Sequence, residues 1–161
     1  MHNVAKDRGE EMQALQTLQQ YVDILPRRFR AISPDAAAAK PDGAWSVKQE
    51  LGHLVDSAAN NHQRIVRVQL EDAPSLPGYD GEQWVDLQDY QNRSWQEIIA
   101  LWEGLNRHLL AAASVVPENG WTRTCTVGGS EPVTLKFIVE DYITHMNGHL
   151  QHMKVQFEDL G

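Results

Sequence analysis

Cysteine is nearly missing from this chain. Cys125 stands alone among 161 residues, so no internal disulfide can form and a reducing cytoplasm is the expected setting. With no Cys or His beside it, Cys125 reads as packing rather than as nucleophile or soft ligand. Long apolar runs are missing too. None approaches the ~18 residues a spanning helix needs, and Met1 to Arg8 lacks the apolar stretch of a secretory signal, so no membrane partner is expected. Positive charge is scarce: 14 Lys and Arg against 22 Asp and Glu leave a net charge of −8 with no clustered basic stripe. A nucleic-acid backbone, which needs a basic face, is therefore excluded as the main partner. Apolar residues make up 42%, enough for one core, and the length suits one domain spanning residues 1–161.

What is present is helical periodicity. Met12, Leu15, Leu18, Val22 and Leu25 recur at helical spacing over Glu10 to about Ile24, and Pro26 is expected to kink or restart that helix. Ser33 to Gly43 reads as loop, with a short helical turn at Ala36 to Ala39. A second helix starts at Ser46, where Ser46 and Gln49 make a capping box, and runs to about Leu70. Glu71 to Arg93 is a long connection that Tyr79, Trp84 and Tyr90 should keep packed. A third helix starts at Ser94 with a second box to Glu97, its buried face marked by Ile98, Trp102, Leu105, Leu109 and Ala112. Trp121 to Val127 alternates enough for a small extended piece. Ser130 or Thr134 caps a last helix carrying Leu135, Ile138, Tyr142, Met146, Leu150, Met153 and Phe157. Four amphipathic helices without a strand pattern between them predict an all-α, antiparallel four-helix bundle with long inter-helix connections.

The chemistry lies in the histidines. His145 and His149 have the i, i+4 spacing, which places two side chains about 40° apart around a helix and roughly 6 Å apart along it. Two imidazoles so placed can grip one divalent cation, and His53 on a neighbouring helix could close a triangle. Three neutral nitrogens would leave a coordination position open. The plain alternative is a pair of half-buried histidines bonded to neighbours. His53 weighs against it: it lies roughly 140° from the apolar stripe of its helix, among Asp56, Asn60, Arg64 and Arg67, so it belongs on a solvated face or in a polar cleft. His152 shares the side of His145 and His149 but turns further toward solvent. His62 falls on the apolar stripe and reads as a core residue, and His108 as a surface one. Asp56 could orient an imidazole or act as a general base, Asp141 is the other carboxylate placed to orient one, and the remaining acids read as solvated faces. The five tryptophans read as core.

Trp45-Ser46-Val47-Lys48 leading to Gly52-His53-Leu54-Val55-Asp56, then Arg64, Arg67 and Pro74 to Asp80, then Thr134-Leu135 opening a helix with His145-x-x-x-His149, form a recognisable order. From Trp45 onward the chain resembles the DinB-like (YfiT-like) superfamily of metal-dependent enzymes. The resemblance implies an up-and-down type of bundle with one connection crossing over. It implies His53, His145 and His149 as ligands of a divalent ion, zinc or nickel. A glutamine often stands three residues after the last ligand in that family. His152 stands there in this chain, where it would add a ligand or relay protons. The family's known members include thiol S-transferases and a mycothiol-dependent isomerase. The expected function is therefore an enzyme whose ion activates a low-molecular-weight thiol or a water for attack on a small electrophilic substrate. Asp56 or His152 would move protons, S-transfer comes first and hydrolysis second. The third reading is a non-catalytic metal- or ligand-binding module with His152 closing the site. The apolar stripe of the first helix would serve a homodimer.

Overall fold

The computed structural model describes residues 2–154, with side chains from residue 9 onward. Phe157, expected on the last helix, lies outside the described residues. Four long helices, α1 (His2–Ala31), α3 (Val47–Leu70), α5 (Trp95–Ser114) and α6 (Leu135–His152), form the bundle, and two short ones, α2 (Pro34–Ala38) and α4 (Gly81–Leu87), ride on its connections. Within the described residues, no helix is long and apolar enough to cross a membrane.

Pro26 does not restart the first helix; it sits inside one continuous α1. A proline leaves the carbonyl four residues back without its helical donor. Here that carbonyl belongs to Val22, and Arg107 Nη2 of α5 donates to it at 2.9 Å. Packing has supplied the missing bond. Leu18, Val22, Leu25 and Phe29 of α1 are buried against α5, where Phe29 meets Trp95 and Trp102 edge-on at 6.3 and 5.3 Å.

The Ser46 box forms in full: the serine accepts from Gln49 N at 3.2 Å and Gln49 Oε1 accepts from Ser46 N at 3.1 Å. At Ser94 the serine half is made, accepting from Glu97 N at 3.4 Å. Thr134 caps α6 by accepting from Phe137 N at 3.1 Å.

Helix α1 packs on α5 and α6, and α3 packs on the same two. So α1 faces α3 across the diagonal, as α5 faces α6. Two of the three connections therefore cross over where the resemblance implied one. The stretches 32–46 and 115–134 are long enough to make those crossings.

A small sheet, of which the sequence signals only the extended piece at Trp121 to Val127, pins the connections together. Its order is β1 (Ser75–Leu76), β2 (Thr124–Val127), β3 (Val133–Thr134). β1 runs parallel to β2 with Ser75 opposite Thr126, and β2 antiparallel to β3 with Cys125 opposite Val133. Two-residue strands carry no periodicity, so only the alternation at Trp121 to Val127 could signal them. Cys125 is buried in β2. Helix α4 lies within the expected long connection, where seven residues with Val85 as their buried one give no amphipathic stripe to signal it. Asp80 starts it by accepting from Gln83 N at 3.0 Å.

Candidate metal centre

The first half of α3 is buried all round: every residue from Gln49 to Ala58 is inside. One side is the apolar core. The other is a polar cleft between α3, α4 and α6, and His53 points into it, 7% exposed. Across the cleft α6 presents His145 and His149. Their Nε2 atoms lie 3.1 Å apart, and His145 Nε2 is also 3.1 Å from His53 Nε2. The three expected residues thus meet at one point.

Protons alone cannot satisfy this contact. His145 Nε2 can share a single proton with one neighbour, yet it faces two nitrogens at the same distance. Charging the rings is worse. Burial, reinforced by His149 and His145, pulls His53 down to about 4. Burial and His149 also lower His145, partly offset by Asp141 and Glu50. Neutral imidazoles with converging lone pairs are what a divalent cation requires. The donor set fits such an ion.

The outer nitrogens define the tautomers. His149 Nδ1 lies 2.5 Å from Glu50 Oε2 and can only donate to that carboxylate, which leaves its Nε2 lone pair facing inward. His145 Nδ1 lies 3.5 Å from Ser57 Oγ. His53 Nδ1 is buried and has no hydrogen-bond partner among the described residues. Gly81 lies over that ring: a Cβ there would sit 2.7 Å from His53 Cε1.

Glu50 corrects the sequence reading of a solvated acid. It is buried, orients His149, and its Oε1 stands 3.6 Å from His152 Nδ1. The signal was its position, three residues before His53 and on the same side of α3. Asp56 is buried but turns elsewhere, accepting from Tyr90 OH at 2.7 Å and Gln88 Nε2 at 2.8 Å, while its Oδ2 has no partner among the described residues. Burial raises its carboxyl, against the pull of those two bonds. Asp141 is exposed and reaches His145 only as a charge. His152 is exposed, with its side chain 67% open to solvent.

Aromatic rings wall the cleft. Trp45 was read as core, but its ring lies 5.2 Å from His53 and 6.3 Å from His149. Tyr79 packs 6.5 Å from His53, bonds Ser57, and touches Trp84 at 5.1 Å. Tyr90 lies flat on Gly52, where a Cβ would come within 2.2 Å of its ring. A pocket of about 620 Å³ opens beside the cluster. Pro41, Gly43, Ala44 and Trp45 form one side and Glu82 another, with Glu50, His149 and His152 also lining it. His62, read as core, is instead half-buried and tilted against His108 at 4.3 Å.

The fold and site thus define a four-helix bundle with three converging imidazoles in a polar cleft, backed by a buried carboxylate. The model of the DinB superfamily matches residues 15–153, and the chain belongs to that superfamily. It is 24% identical over 114 residues to the "Putative metal-dependent hydrolase" of Oceanobacillus iheyensis, covering 71% of this chain and 65% of the relative. It is 26% identical over 113 residues to the "Putative metal-dependent hydrolase YfiT" of Bacillus subtilis, covering 70% and 64%. The matched stretch is thus just under two thirds of either relative. The solved structure of Bacillus subtilis YfiT, described as "a probable metal-dependent hydrolase with an unusual four-helix bundle topology", superposes with a TM-score of 0.70 at 22% identity. That superposition covers 91% of this chain and 89% of YfiT, and establishes the shared fold.

Proposed function

We propose that this protein is a metal-dependent hydrolase of small electrophilic substrates, with His53, His145 and His149 holding one divalent ion. The observation that carries this is the meeting of three imidazoles, with His145 Nε2 lying 3.1 Å from Nε2 of His53 and of His149, and Glu50 fixing His149 from behind. Imidazole nitrogens suit zinc and nickel, and the relatives' names point to metal-dependent hydrolysis. Such an ion supplies Lewis acidity, which makes a water or a thiol nucleophilic near neutral pH.

The chain's own residues do the rest. Glu50 holds His149 in one tautomer. Trp45, Tyr79 and the Gly81 backbone pack over the rings, and the 620 Å³ pocket opens beside His149. His152 exchanges protons with solvent at the pocket's edge. Asp56 anchors Tyr90 and Gln88, so its part is to position the wall rather than to take a proton.

The test is turnover by zinc- or nickel-loaded protein on a panel of activated esters and aromatic electrophiles, each with and without a low-molecular-weight thiol. Metal-dependent turnover in water alone supports hydrolysis. Turnover only with the thiol replaces it with S-transfer, and none in either arm favours a binding module.

A further inference from the structure

Beyond Asp56, the polar side of α3 continues through Asn60, Arg64 and Arg67 into a second cavity of about 230 Å³. These residues, with Gln63, Leu76 and Pro77, line it. None of them lines the pocket beside His149.

Two features single this cavity out. First, Arg64 and Arg67 sit one turn apart, where like charges repel. The chain carries 22 acidic residues against 14 basic ones, yet neither guanidinium forms an ion pair among the described residues. Arg64 Nη1 reaches only Asn61 Oδ1 at 3.4 Å, and Arg67 Nε only Gln63 Oε1 at 3.2 Å. Most of their donors stay available at the cavity wall. Second, one ring links the cavity to the histidines. Arg64 Cζ lies 5.9 Å from the Tyr79 ring centroid, and the same ring packs against His53.

Two guanidiniums lining one small cavity supply the forked donors that a carboxylate or phosphate takes. We propose that Arg64 and Arg67 form an anion subsite that takes the acidic end of the substrate, one tyrosine ring away from the histidine cluster. The word substrate rests on the catalytic reading above; binding of the anion does not.

The experiment uses metal-free protein, so that no anion can bind a cation at the histidines. The arginine Nε–H NMR signals are followed during titration with sodium phosphate and, separately, sodium succinate, at ionic strength held constant with sodium chloride. Saturable shifts at Arg64 and Arg67 in the millimolar range are expected, while exposed Arg27 stays still. Saturation by one anion and not the other assigns phosphate or carboxylate. Arg64→Ala should weaken binding about tenfold or more, and Arg67→Gln should weaken it without disturbing the Tyr79 contact. Shifts that never saturate, that match those of Arg27, or that survive both substitutions overturn the subsite. Zinc content of Arg64→Ala, measured in parallel, is expected to equal that of the parent. A chain that binds the anion but no metal would sink the catalytic reading and leave the subsite standing.

Discussion

Two histidine pairs meet at nearly the same distance: His62 is tilted against His108 with ring centroids 4.3 Å apart, and His145 is edge-on to His149 at 4.6 Å. Spacing between rings therefore does not separate them. Surroundings do. The His62 pair bridges α3 and α5 at the surface, with His108 exposed. The His149 pair faces a third imidazole that is 7% exposed, and the outer nitrogen of His149 is held by buried Glu50. A cation site needs converging lone pairs, a fixed tautomer and shelter from water, and the second region alone combines them.

The largest way to break that contrast is to remove a ring. His149→Ala or His53→Ala should lower zinc affinity well over 100-fold, beyond the about 10–100-fold that losing a supporting bond costs. His62→Ala and His108→Ala should leave it unchanged. Competition with a chromophoric chelator reads all four. Glu50→Gln comes next, with a loss of about 10–100-fold, because an amide holds the His149 proton less firmly than a carboxylate.

The wall can be tested apart from the ligands. Gly52→Ala drives a methyl into the Tyr90 ring and should cost about 1–3 kcal/mol in urea denaturation. A smaller effect concerns pH. In metal-free protein His53 titrates at about 4, below its ordinary 6.5. As pH falls through 6.5 the unfolded chain takes a proton that the folded chain refuses, so stability drops until about pH 4 and then levels. The part due to His53 should be about 2 kcal/mol, less than the full shift implies because some solvent reaches the ring, and His53→Gln should shrink the drop to what lowered His145 contributes. Denaturation in chelator from pH 4 to 7 measures it.

Much of this was legible before the coordinates. Helical periodicity found the bundle, and the serine and threonine signals found three helix starts. The wheel put His53 off the apolar stripe, where the cleft lies. What stayed hidden depended on tertiary contact. Glu50 looks like any acid in the first turn of a helix until His149 arrives from α6, ninety-nine residues on. Trp45 carries the same apolar signal as a core aromatic, and only the loop before α3 decides that it faces the histidines. Pro26 breaks a helix locally, and only Arg107 from α5 explains why it does not here. The diagonal topology lies in which helices touch, which no single helix encodes.

X-ray absorption of the zinc-loaded protein addresses the cluster itself. Three imidazole nitrogens at roughly 2.0–2.1 Å, with an oxygen as fourth ligand, are expected, falling to two imidazoles in His53→Ala with whatever metal remains. A zinc shell with one imidazole or none, or one unchanged by His53→Ala, would contradict a shared ion between α3 and α6.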